Sequence, residues 1–181
     1  MTACGSEASE VHSVWSAWPF HPKSLCPSTA AAASPLVAVA ATATSGNPAA
    51  PIDGHSDFGW NGQADQTLWT SDASLPQAVT LDLGRVRHGI DTMTYLPRQD
   101  TTTPFTYSYL TDGNVTSYRI TASRDGTDFR PVTTGTWPAD HTLKTARFHR
   151  ISARYLRLEA RGVVGTSGAA VASEIGCGRT G

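Results

Sequence analysis

Ala78-Val79-Thr80-Leu81-Asp82-Leu83 places Val79, Leu81 and Leu83 on one side of an extended chain, with Thr80 and Asp82 on the other. Successive side chains of a strand point to opposite faces, so this alternation predicts a half-buried strand. Tyr155-Leu156-Arg157-Leu158-Glu159-Ala160 repeats the pattern, setting Leu156, Leu158 and Ala160 against Tyr155, Arg157 and Glu159. Thr116 to Ala122 turns Tyr118 and Ile120 inward, and Ser123-Arg124-Asp125-Gly126 then leads into Phe129 to Thr134. Asp-Gly supplies the positive φ of a tight hairpin, so these two segments are expected to pair. Further strands are expected at Ile90 to Leu96, Lys144 to Phe148 and Ala170 to Ile175. Short alternating stretches between Gly, Pro, Asn and Asp, with no helical period, predict an all-β fold: an antiparallel sandwich of about eight strands.

Outward from these strands, 181 residues with 39% hydrophobic and 16% charged residues suffice for one domain with a sizeable core. Its expected span is 37–177, leaving 1–36 as an unassigned or disordered N-terminal segment or linker and 178–181 as a tail. The first segment holds Trp15, Trp18, Pro19, Pro22 and Pro27 without periodicity. Thr29 to Ala43 resembles the apolar region of a secretory signal, but it starts late and Pro35 interrupts it. Two readings stay open, a signal displaced by a wrong start codon and, preferred here, a linker running into the first strand.

Net charge is −1, and the cations, 12 Arg and 2 Lys, are scattered without a run of like sign. That distribution argues against a nucleic-acid or anionic-membrane surface, and no apolar stretch reaches the roughly 18 residues of a membrane span. The Arg, Ala, Gly and Thr usage suggests a GC-rich bacterial source. Cys4, Cys26 and Cys177 lack zinc-site spacing; one disulfide, with Cys26 and Cys177 as the pair that brackets the fold, and three free thiols are both consistent with the sequence. Asn114-Val115-Thr116 is an N-glycosylation sequon.

Catalytic motifs are missing. There is no G-x-S-x-G, H-E-x-x-H, G-x-x-x-x-G-K-[ST] or G-x-G-x-x-G, so the hydrolase, zinc-protease and nucleotide-binding readings lack their machinery. Gly165-Thr166-Ser167-Gly168 reads as a loop. The chain is expected to be no enzyme in itself.

Seven segments occur in the order seen in discoidin, or factor V/VIII type C, domains: Ile52-Asp53-Gly54, Leu68-Trp69-Thr70, Val79 to Gly84, Tyr95-Leu96-Pro97-Arg98-Gln99-Asp100, Ser123 to Gly126, Ala153 to Leu158 and Ala172-Ser173-Glu174-Ile175. The chain most resembles the family 32 carbohydrate-binding modules within that group. The resemblance spans about Ala40 to Ile175 and implies an eight-stranded jelly roll with a noncatalytic role in sugar binding. It further implies a secreted bacterial setting on or beside a glycosidase such as an α-fucosidase or galactosidase, a galactose- or fucose-containing glycan as partner, and a monomer.

The resemblance also implies a structural calcium. Its ligands would be Asp53, Thr67 and Glu174, with carbonyl groups from Ala50, His55 and Ser173. Hard oxygens in that number suit Ca²⁺, which also cancels repulsion between neighbouring carboxylates.

Sugar binding calls for an aromatic face against the pyranose and charged or amide groups on its hydroxyls. Arg98 matches the family's sugar-contacting Arg, and it also reads as a core-edge Arg paired with Asp100 or Asp82. Thr70 stands where galactose-binding members carry His, and Gly162 to Ala172 holds no aromatic residue. Two long loops supply aromatics instead, Phe58 and Trp60 in the first, Phe105, Tyr107 and Tyr109 in the second; the second also reads as a strand extension with one packed face, the reading preferred here. Trp69 and Trp137 are expected in the core. A discoidin-type adhesion module for protein or membrane surfaces is the alternative reading, although no basic residues surround Phe58 and Trp60.

Overall fold

The computed structural model describes residues 34–55, 68–103 and 106–180, without the side chains of residues 103, 106 and 107. Eleven strands occur there: β1 (Ser34–Leu36), β2 (Ala40–Ala43), β3 (Trp69–Thr70), β4 (Gln77–Leu96), β5 (Thr101–Thr103), β6 (Thr106–Tyr109), β7 (Val115–Ser123), β8 (Arg130–Thr136), β9 (Lys144–Val163), β10 (Val171–Ala172) and β11 (Glu174–Arg179). A single turn of 3₁₀ helix, Ala50–Ile52, follows β2. The fold is an all-β antiparallel sandwich of the jelly-roll type.

Two pairs of expected strands turn out to be two long strands. Ala78–Leu83 and Ile90–Leu96 both lie in β4, and Lys144–Phe148 and Tyr155–Ala160 both lie in β9. The first half of β4 pairs with β2 and with the second half of β9, whereas Thr92 to Tyr95 pair with β11 and the first half of β9. Between the halves the register shifts at Asp82/Arg87, His88/Ile90 and Ile90/Thr92, and Gly84 and Gly89 both take a φ of +74°. Such irregularities bend a strand, so the two halves of β4 meet different neighbours, β2 and β11, within one seven-stranded sheet. Val79, Leu81, Leu83, Ile90, Met93, Tyr95, Ile120, Leu156, Leu158 and Ile175 from both halves share one buried cluster. Fully burying each side chain of this kind contributes about 2 kcal/mol.

The inward faces fall as the alternation predicts, but β4 departs from a half-buried strand. Ala78 and Thr80 on its outer side are buried too, because Thr44 bonds the Ala78 amide and Arg157 lays its Nε on Thr80 Oγ1 at 2.9 Å. The Ser123–Gly126 turn joins β7 to β8, with Gly126 at φ +86°. Trp69 and Trp137 are core residues, Trp137 stacking on Tyr118 at 3.8 Å and on Tyr95 at 5.2 Å.

Four positions add detail. Ser34–Leu36 pairs with Cys177–Arg179, and Thr180 donates from its amide to Asp91 Oδ1 at 2.8 Å. Ala170 to Ile175 divides at Ser173, because β10 pairs with β3 while β11 pairs with β4. Cys177 is a free, buried thiol, pushed up to about 12 by that burial, in keeping with the free-thiol reading; Cys4 and Cys26 lie outside the described residues. Asn114 is 1% exposed, so its sequon is shielded in the folded domain.

Candidate functional site

Three loops and the start of β10 converge at one end of the sandwich, cross-linked by backbone hydrogen bonds. Gly113 N–H donates to Val164 O, Val164 N–H to Asn114 O, and Val171 N–H to Gly113 O, each near 2.9–3.0 Å. Asn114 and Val171 form a parallel bridge. Beneath them the Tyr95 hydroxyl accepts from Val115 N–H at 2.9 Å and donates to Val171 O at 2.8 Å; burial pushes its ionisation far above the usual tyrosine range. Gly113, at φ +82°, has Ala169 O and Val171 so close that a Cβ would meet both at 2.9 Å.

Above this floor lies a groove of about 450 Å³ lined by Leu68, Thr70, Arg98, Asp112, Gly113, Ser167, Ala169 and Val171. Arg98 grips Asp100 through Nε–Oδ1 at 2.6 Å and Nη2–Oδ2 at 2.5 Å, and donates from Nη1 to Asp112 O at 3.3 Å. Asn114 Oδ1 accepts from the Arg98 amide at 3.3 Å. Arg98 is therefore paired with Asp100, as one of its two readings allowed, and it also stands in the groove wall. Thr70 and the aromatic-free loop before β10 stand on the same groove. Asp112 and Ser167 are walls that sequence reasoning missed; the signal for Asp112 was its Asp-Gly pair closing the inserted loop. Tyr107 lies on β6, while Phe58, Trp60 and Phe105 fall outside the described residues.

A second cluster joins the 3₁₀ turn to β11. Glu174 Oε1 accepts from Gly54 N–H at 2.7 Å, and Asp53 Oδ1 accepts from His55 N–H at 2.8 Å, with His55 Nδ1 at 3.3 Å. Burial raises the Glu174 carboxyl to about 7, and the charge of nearby Asp53 pushes the same way. Ser173 is fully buried and its Oγ has no partner among the described residues. Ala50 is buried in the turn, and Thr67 lies outside the described residues. Two adjacent carboxylates, one resisting ionisation, and an orphaned hydroxyl suit a hard cation. Among the described residues no three His, Cys, Asp or Glu side chains gather, so such a cation would draw most of its ligands from carbonyl and hydroxyl oxygens.

A jelly-roll sandwich with a groove of mixed polar and apolar lining in its end loops defines the class: a binding module built around preorganised loops. Residues 30–175 match the model of the F5/8 type C domain, and the chain belongs to that family. Galactose oxidase from Gibberella zeae is 31% identical over 112 residues, 60% of this chain but 14% of the oxidase, so the chain spans only a small part of that relative. Among solved structures, CpGH89CBM32-5 from Clostridium perfringens, in complex with GalNAc-β-1,3-galactose, superposes with a TM-score of 0.65 at 32% identity, covering 80% of this chain and 99% of that one. The family 32 module of C. perfringens NanJ, in complex with galactose, gives 0.60 at 26% identity, covering 76% and 90%. The chain is thus of the family 32 carbohydrate-binding type, a noncatalytic class of domain.

Proposed function

We propose that this chain is a calcium-stabilised, noncatalytic module that binds a galactose- or fucose-containing glycan in the Arg98 groove and serves a secreted bacterial glycosidase on a longer chain. The observation that carries the reading is the convergence of Arg98, Thr70, Asp112 and Ser167 on one groove over a rigid backbone floor. Sugar hydroxyls are met by such fixed polar groups, and holding them in place before binding reduces the ordering cost. The Arg98–Asp100 pair fixes the guanidinium plane, and Arg98 Nη1 donates to the Asp112 carbonyl in the same wall. Galactose and GalNAc-β-1,3-galactose in the related modules support the ligand class, and the size of the galactose oxidase relative supports service to a larger enzyme.

Calcium would be held by Asp53 and Glu174 with the Ala50, His55 and Ser173 carbonyls and Thr67, tying the loop after β2 to the last strand. The ion's contribution would be structural: it would neutralise the two carboxylates and anchor the Asp53 turn to β11. The module is proposed to act as a monomer. A glycan array read with and without calcium tests the reading; a blank array under both conditions refutes it, and binding to anionic vesicles instead would favour an adhesion module.

A further inference from the structure

The groove offers hydrogen-bonding groups and small apolar side chains, but its lining contains no ring, and residues 162–172 contain none either. A pyranose presents one apolar face, which an aromatic ring covers best. Among the described residues a ring pair stands next to this site. Tyr109, the last residue of β6, stacks on His141 with centroids 3.7 Å apart and planes 7° from parallel.

The Leu96–Asp100 loop that carries Arg98 also secures both rings. Gln99 Nε2 donates to His141 O at 2.7 Å, and Leu110 N–H, next to Tyr109, donates to Asp100 O at 3.0 Å. Tyr109 precedes the groove residue Asp112 by three positions, so their Cα atoms lie at most about 11 Å apart. The pair is thus held by the residues that directly follow Arg98, close to the groove but outside its lining.

The plain alternative is a stack that only fastens the β5–β6 hairpin to the loop before β9. A purely internal fastening would be buried, as the Tyr118–Trp137 stack is. Tyr109 and His141 instead both remain partly exposed, and Leu143, two residues beyond His141, is 59% exposed.

We propose that the Tyr109–His141 stack is a second sugar subsite beside the Arg98 groove, so that the module recognises a disaccharide or longer glycan in preference to a single pyranose. This rests on the reading of the groove as a sugar site. The Arg98 groove takes the terminal sugar by hydrogen bonding, and the stack covers the apolar face of the next unit.

The test is a glycan array carrying galactose and fucose beside GalNAc-β-1,3-galactose and other di- and trisaccharides, read with the native chain, Tyr109→Ala, His141→Ala and Tyr109→Phe. Each variant's melting curve is recorded to establish that it folds. The native chain is expected to bind its preferred oligosaccharide about tenfold more tightly than the terminal monosaccharide. Either alanine variant brings that ratio toward one, and Tyr109→Phe, which keeps the ring, preserves it. Equal binding of monosaccharide and oligosaccharide, or a preference that survives Tyr109→Ala, overturns the subsite alone. A blank array with the native chain overturns the sugar reading itself.

Discussion

Arg98, in the wall of the groove, forms a two-pronged ion pair with Asp100, whose side chain is only 1% exposed against 16% for Arg98. The pair thus links stability to recognition. Removing the guanidinium leaves a buried carboxylate without its cation, a change that costs about 3 kcal/mol or more. Arg98→Ala is therefore expected to lose glycan binding and also to unfold at markedly lower denaturant. Arg98→Lys, which keeps charge but not the fork, should recover only part of each. Urea titration alongside the binding measurement checks this; an Arg98→Ala midpoint equal to that of the native chain would contradict the buried pair.

The Asp53–Glu174 cluster predicts metal-dependent stability. Chelation should lower the melting temperature, and Glu174→Ala should melt at the same temperature with and without calcium, because Asp53 alone retains too little of the site. Differential scanning calorimetry with EDTA and with calcium reads both outcomes. A native chain indifferent to chelation would exclude the metal.

Without metal, pH should act on the same residue. Glu174 titrates at about 7 in the fold against roughly 4.3 in an unfolded chain. Between these values the native state holds the extra proton, so unfolding free energy falls as pH rises through this window. The group is part exposed, which limits the loss to on the order of 1 kcal/mol, or about 3 °C of melting temperature. Glu174→Gln should flatten this part of the metal-free stability profile, and saturating calcium should reverse its slope. A metal-free profile that rises steadily from pH 4.5 to 7 would contradict the burial of the carboxyl.

Tyr95 offers a test of the groove floor independent of metal. Tyr95→Phe removes the hydroxyl that joins Val115 N–H to Val171 O, leaving two buried backbone groups unpaired at a cost of about 1–3 kcal/mol. Amide exchange should quicken at Val115, while the opposite turn at Ser123–Gly126 keeps its protection. Uniform quickening across both ends would indicate global destabilisation instead of a local floor.

Cys177 should be inert while the domain is folded. Its thiol is buried, held at about 12 by desolvation, and packs 3.9 Å from Leu36 O; the reactive thiolate is then scarce. In a Cys4→Ser/Cys26→Ser variant, a thiol reagent should label Cys177 only as denaturant unfolds the chain. Immediate labelling in buffer would show that β1 leaves the sheet edge.

Most of the architecture was legible because alternation is local. Val79, Leu81, Leu83, Leu156, Leu158 and Ile120 announce their faces through their immediate neighbours, and Asp125-Gly126 announces its turn. Neither the merging of four strands into β4 and β9 nor the break at Ser173 was legible, since both depend on which strand lies alongside. Asp82 shows the limit well: it reads as an outward strand residue, yet Arg154 pairs with it at 2.8 Å through both oxygens and holds its carboxyl below the usual range.

By itself, the sequence determined the strand class, the inward residues, the family and the proximity expected of Asp53 and Glu174, all of which follow from short-range pattern or from motif order. Only the tertiary structure decided that Arg98 faces a groove while bound to Asp100, that Asp112 and Ser167 form its other walls, and that Tyr109 meets His141. Apart from the Arg98–Asp100 pair, these contacts join positions 14 to 69 residues apart, and their geometry is set by backbone bonds such as Val171 N–H to Gly113 O. No local periodicity encodes those bonds, because the loops are placed by the sheets that carry them.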